Sequence, residues 1–90
     1  MRQPNVTVYG SRSCPDTRRT TAYLDSHEVA YEFKDVDESP EYNDYIAGLN
    51  DGKRVLPTIR LDNQTLINPP DEELGQAVAA AASERAWPAP

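Results

Sequence analysis

One cysteine, Cys14, and one histidine, His27, are all that the chain holds of the two residue types most often used for covalent and metal chemistry. A lone cysteine closes no internal disulfide, so the fold must be held by burial, as suits a reducing compartment. One Cys and one His make no zinc site without several carboxylates at suitable spacing. No metal is therefore expected. No stretch approaches the roughly 20 apolar residues that a membrane-spanning helix needs, and "MRQPNVTVYG" lacks the apolar run of a signal peptide. A cytoplasmic protein with no membrane partner is expected. Cationic residues are also scarce: nine Lys and Arg against fifteen Asp and Glu give a formal charge of −6. Only Arg18-Arg19 and Lys53-Arg54 are adjacent pairs, which is poor material for a phosphate backbone, so nucleic acid is not an expected partner. Repeats and low-complexity tracts are absent.

What remains is ordinary globular composition, 38% hydrophobic and 27% charged. Ninety residues suffice for one modest core. A single domain is expected over 1–87, with 88–90 a frayed tail.

The hydrophobic pattern orders the chain as β-α-β-α-β-β-α. "NVTVYG" alternates around Val6 and Val8 and ends in Gly10, a strand and a turn. Pro15 to about Ser26 holds no internal Gly or Pro; Leu24 shares a helical face with Thr17, Thr20 and Thr21. "VAYEFKDVD" alternates through Val29, Tyr31 and Phe33 towards Asp35, a second strand. In "SPEYNDYIAGLN", Tyr42, Tyr45, Ile46 and Leu49 are spaced for one buried helical face. "LPTIRLDNQTLIN" reads as a hairpin: Thr58 to Leu61, a turn at Asp62-Asn63-Gln64, then Thr65 to Ile67. The last helix runs from Pro69 or Pro70 to about Arg85 with Leu74, Val78 and Ala81 inward. Asp71, Glu72 and Glu73 in its first turn and Arg85 near its end suit the helix dipole. Trp87 is expected to fold back onto the surface. A helix between the first two strands makes them parallel, and the hairpin adds two antiparallel strands. The expectation is an α/β fold: a four-stranded mixed sheet with helices on both faces.

Each helix is expected to begin with a small polar residue followed by proline: Cys14-Pro15, Ser39-Pro40 and Asn68-Pro69. Proline suits the first helical position, and Ser and Asn are good N-caps. In the first helix the capping position holds a sulfur. There it faces unpaired amides, expected from Asp16 and Thr17, and the positive end of the helix dipole. Both favour the thiolate, the nucleophilic form, and should lower the pKa from about 8.5 towards neutrality. Arg12 and Arg18 would add positive charge, and Asp16 would oppose it. The alternative is a passive cysteine, since lone thiols in cytosolic domains are usually buried and inert. A loop-to-helix corner is hard to reconcile with passive burial. His27, far along the same helix, is a surface residue and no partner for a Cys–His pair.

These residues resemble the glutaredoxin branch of the thioredoxin superfamily over nearly the whole chain. "VTVYGSRSCPDT" is similar to the family's first strand and active-site loop, where Cys-Pro-x-Cys follows a Val-Tyr strand. "RVLPTIRLDN" resembles its Val-Pro loop, whose proline is cis and packs against the active site; Pro57 is the matching position. "LINPPDEEL" resembles the segment leading into the last helix, its Asn-Pro closer to mycoredoxins of actinobacteria than to glutathione-using glutaredoxins. The resemblance implies a thioredoxin-like fold with Cys14 as nucleophile in a loop formed with Ser13, Pro15, Asp16 and Thr17. It also implies that the Leu56 backbone pairs with an extended thiol substrate, and that Tyr9, Arg54, Pro57 and Asn68 lie near the thiol groove. Arg54 or Lys53 either binds a substrate carboxylate or is simply solvated.

Three departures stand out. Thr17 replaces the resolving cysteine, Asn68-Pro69-Pro70 replaces the usual Gly-Gly, and Val55 replaces the Thr of a Thr-Val-Pro loop. The implied activity is that of a monomeric monothiol oxidoreductase that reduces mixed disulfides between proteins and a small thiol. Its co-substrate would be mycothiol or glutathione, with no tightly bound cofactor. Two other readings stand beside it. One is an iron–sulfur carrier, whose usual Cys-Gly-Phe-Ser is departed from after the first residue. The other is a thioredoxin-fold binding module without redox work.

Overall fold

In the computed structural model, residues 4–62 and 64–86 are described. The strands and helices follow in the expected order: β1 (Val6–Gly10), α1 (Pro15–Ser26), β2 (Glu32–Asp35), α2 (Pro40–Leu49), β3 (Thr58–Leu61), β4 (Gln64–Ile67) and α3 (Asp71–Ala86). The sheet runs β2-β1-β3-β4. β1 and β2 are parallel, while β3 is antiparallel to both β1 and β4.

Alternation along β1 sends its side chains to two layers. Val6 and Val8 are buried, and the register sets them opposite Leu61 and Ile59, with Leu66 beside Ile59. Leu24 of α1 and Leu74 and Ala81 of α3 close this layer, and Val78 packs against it partly buried. Where α3 crosses α1, a Cβ on Gly75 would stand 2.1 Å from the Tyr23 hydroxyl, so the glycine permits the close approach. On the other face Tyr9 meets Tyr42 and Tyr45 of α2, ring centroids 5.7 and 5.2 Å away. Helices therefore cover both faces.

α1 begins and ends where its residues direct. Its C-terminus closes with Glu28 at φ 57, bonds running from the Glu28 amide to the Asp25 carbonyl and from the Val29 amide to that of Leu24. This is the left-handed stop usually built on glycine. It also corrects the expected start of the second strand. Val29 is still finishing the helix, and β2 begins only at Glu32.

Other expectations are corrected too. In α2 only Ile46 is fully buried, and Tyr45 is 43% exposed. Tyr42 and Tyr45 lie against the Tyr9 ring, and of the four expected side chains only that of Ile46 is carried fully inside. Ser39 precedes α2 but turns its hydroxyl to Glu41 Oε1, 2.7 Å away, and caps nothing. Asn68 does not cap α3, which starts at Asp71. Gln64 belongs to β4, and the last helix starts one residue after Pro70. Asn63, the Arg85 side chain, Trp87 and the tail 88–90 lie outside the described residues.

Candidate functional site

β1 delivers the chain at Gly10 to a short loop that turns into α1. The Cys14 amide donates to the Ser11 carbonyl at 3.0 Å, and the Arg18 amide donates to the Cys14 carbonyl at 3.1 Å. Cys14 is thus the N-cap, with φ −84° and ψ 121°, followed by Pro15. The buried Ser11 hydroxyl donates to the Asp37 carboxylate and lies 2.8 Å from the Ser13 hydroxyl. Its one proton being spent on Asp37, Ser11 accepts from Ser13. The Val36 amide donates to the Gly10 carbonyl at 3.1 Å, so the segment after β2 braces the loop.

Thr17, three residues past the sulfur, is 1% exposed. Its hydroxyl oxygen accepts the Ser11 amide at 3.4 Å. Its methyl group lies over Gly10, where a Cβ would stand 2.5 Å from Thr17 Cγ2 and 2.7 Å from Oγ1. Only a residue without a side chain fits there.

The half-buried sulfur makes no full capping hydrogen bond. Its surroundings nevertheless hold the thiol pKa below its ordinary value. The Thr17 amide is the largest cause; partial burial opposes it, and the Thr17 hydroxyl and Asp16 amide add to it. The Asp16 carboxylate acts weakly against the anion. The arginines expected to help are engaged elsewhere. Arg12 sits over the Phe33 ring at 4.8 Å and 3.7 Å from Asp35, and Arg18 Nη1 donates to the Arg12 carbonyl at 3.5 Å.

A lowered thiol pKa has a direct readout. The pH midpoint for alkylation of Cys14 by iodoacetamide falls below that of the same chain unfolded in urea, and Asp16→Asn lowers it further by removing the opposing charge. Equal midpoints for folded and unfolded chain would contradict the arrangement. The same shift gives folding a small pH dependence. Its contribution is full above the unfolded thiol's pKa and is lost as pH falls through the lower folded value.

Asp16 is itself restrained. Arg19 Nη1 donates to Asp16 Oδ1 at 3.0 Å, and Asn68 Nδ2 donates to Oδ2 at 3.3 Å. Arg19 Nη2 reaches Asn68 Oδ1 at 3.3 Å and the Pro69 carbonyl at 3.1 Å, while Nε lies 3.4 Å from Asp71. Asn68 holds φ 41°, and its amide donates to the Pro57 carbonyl at 2.8 Å. The Leu56–Pro57 peptide is cis and Pro57 is buried. Named hydrogen bonds therefore run from Asp16, beside the thiol, through Asn68 to Pro57.

Tyr9 and Arg54 take their contacts from α2. Tyr9 packs on Tyr42 and Tyr45, and burial raises its pKa, with Tyr45 adding to the effect. Exposed Arg54 donates to Asn43 of α2. Lys53 is exposed. His27 lies exposed at the C-terminal end of α1. Among the described residues no group of three or more His, Cys, Asp or Glu is placed to hold a metal ion. No described helix is long and apolar enough to cross a membrane.

Sequence reasoning missed Arg19, Ser11 and Asp37. Arg19 lies three residues from Asp16 and was readable as a helical ion pair. The contacts to Asn68 and Asp37 span long stretches of chain and carry no local signal.

The sequence profile of the glutaredoxin family matches residues 6–66. Mycoredoxin 1 of Corynebacterium glutamicum is 38% identical over 61 residues, covering 68% of this chain and 75% of that protein. The crystal structure of a glutaredoxin from Archaeoglobus fulgidus superposes with a TM-score of 0.73 at 20% identity, covering 83% of this chain and 86% of that one. The glutaredoxin-like NrdH-redoxin of Escherichia coli superposes with a TM-score of 0.69 at 20% identity, over 96% of this chain and 99% of that one.

Proposed function

Because the chain belongs to the glutaredoxin family, we propose that it is a monothiol oxidoreductase that reduces mixed disulfides between proteins and a low-molecular-weight thiol. The observation that supports this reading is a sulfur at the mouth of α1 whose surroundings lower its pKa, with a buried threonine, Thr17, where a resolving sulfur would stand. The Cys14 thiolate attacks the small-thiol sulfur of the mixed disulfide. That disulfide breaks, the protein thiolate leaves and takes up a proton, and the small thiol stays bound to Cys14. With no second cysteine in the chain, release needs another molecule. A second small thiol, as its thiolate, attacks the bound small-thiol sulfur, frees the Cys14 thiolate and departs as the oxidised small-thiol dimer. Each turnover exchanges one protein–small-thiol disulfide and one free small thiol for one protein thiol and one oxidised small-thiol dimer.

The Leu56 backbone beside cis Pro57 offers main-chain pairing to the extended thiol, as a strand adds to a sheet edge. Asn68, tied to Asp16 and Pro57, borders that flank. Tyr9 and Arg54 would contribute the wall on the α2 side. The small thiol is mycothiol or glutathione, no tightly bound cofactor is needed, and the protein works as a monomer in the cytoplasm.

Mass spectrometry of the reduced protein after exposure to oxidised mycothiol and, separately, oxidised glutathione tests this. The expected result is one adduct on Cys14, formed faster with the true co-substrate. A Cys14 left unmodified by both would end the reading and leave a binding module on the same scaffold.

A further inference from the structure

The thiol loop has two flanks, set by the strand order. β3 and β4 carry Pro57 and Asn68 to one side of β1, and β2 lies on the other. On the β2 flank a cavity of about 420 Å³ opens between α1 and β2, lined by Arg12, Thr17, Arg18, Thr21, Tyr31 and Phe33. Thr17 joins this cavity to the active site, since the same side chain acts on the Cys14 sulfur.

Its lining is unusual for a chain of net charge −6. Two guanidinium groups share the mouth. Arg12 is held over Phe33 at 4.8 Å, and Arg18 Nη1 is anchored to the Arg12 carbonyl. One carboxylate, Asp35, lies 3.7 Å from Arg12 Nε. A second, Asp25, interacts with the Tyr31 hydroxyl from an exposed position on α1. Each guanidinium carries five N–H donors, and those pairings leave most of them unspent. Aromatic walls below and cations at the rim suit a side chain with an aliphatic stem and an anionic head.

We propose that this cavity is a docking pocket for an acidic side chain, Asp or Glu, that lies close to the disulfide-bonded cysteine of the protein substrate. The proposal rests on the reading of Cys14 as nucleophile and adds a preference among protein substrates. The protein half is chosen over the small thiol on geometric grounds. A small thiol held beside Leu56 and Pro57 occupies the opposite flank, which leaves the β2 side to the larger partner. Matched charge beside a reacting bond raises the encounter rate and fixes the approach.

The test uses two peptides that differ only in Glu or Gln beside a cysteine carried as its mixed disulfide with 2-mercaptoethanol, an uncharged small thiol. Single-turnover attack gives the Cys14–mercaptoethanol disulfide and the free peptide thiol. The Glu peptide is expected to react about tenfold faster at low ionic strength, with the advantage shrinking as salt is added. In Arg12→Gln/Arg18→Gln the ratio of the two rates falls to near one. Equal rates in the natural protein, or a preference that survives in the double variant, overturns the pocket and leaves Cys14 chemistry standing. If neither peptide reacts, the oxidoreductase reading falls and the pocket with it. A third arm replaces 2-mercaptoethanol by 3-mercaptopropionate on the Gln peptide. An arginine-dependent gain there alone would assign the cavity to an anionic small thiol and overturn the protein-side proposal.

Discussion

Cys14→Ser is expected to abolish mixed-disulfide reduction, a loss on the order of 10⁴-fold or more, down to the uncatalysed background. Serine keeps the corner and the shape but offers a hydroxyl that neither ionises near neutral pH nor exchanges with a disulfide. The fold should hardly notice. Cys14 is half-buried, makes no full capping hydrogen bond, and serine is a favoured N-cap. An exchange assay beside a thermal melt separates the two effects: activity gone, Tm unchanged or slightly raised. Retained activity in a folded variant would move the chemistry off this sulfur and sink the proposed function.

The largest structural effect is expected at Gly10. Gly10→Ala places a methyl group 2.5 Å from Thr17 Cγ2. Both residues are buried, and Gly10 is paired with Asp35 in the sheet. Neither can step aside cheaply. The expected destabilisation is about 3 kcal/mol, the upper part of the range for overpacking. For a domain of this size that lowers Tm by about 10–20 °C. Thr17→Ser removes the colliding methyl and keeps the hydroxyl, so the pair Gly10→Ala/Thr17→Ser should recover part of the loss. Urea unfolding of both singles and the double gives the coupling; a coupling energy near zero would show that the contact is not what requires glycine. The alkylation midpoint of Cys14 should rise in Gly10→Ala, because a displaced Thr17 takes its amide and hydroxyl away from the sulfur.

Local signals in the sequence were reliable where the physics is local. Val6 and Val8 alternate because one strand face meets the core, and both are buried. Pro15 opens α1, and the face holding Thr17, Thr20 and Leu24 is the one packed inward. The cis bond at Pro57 followed from family likeness, since a lone Leu-Pro pair carries no such information. Failures came where the deciding partner is distant. Asn68 read as a cap because Asn-Pro usually starts helices, yet its side chain is claimed by Asp16, 52 residues away. Tyr45 read as core from helical spacing, but a ten-residue helix lying over Tyr9 cannot bury so many rings. Val29 alternates like a strand residue and instead completes the end of α1. The place of Cys14 at the N-cap of α1 was legible from its neighbours. Arg12 and Arg18 were located correctly beside the loop, but nothing in the sequence showed that Phe33, Asp35 and the Arg12 carbonyl hold them there.

The reach of Arg19 has a mechanical consequence. One guanidinium holds Asp16 at the start of α1 and also the Pro69 carbonyl and Asp71 where α3 begins. Whatever pulls α3 outward must strip the grips on Pro69 and Asp71, while the Arg19–Asp16 pair, with both ends in α1, stays closed. Strain applied to the far end of the chain would therefore stop at this guanidinium, and the carboxylate beside Cys14 would keep its counterion.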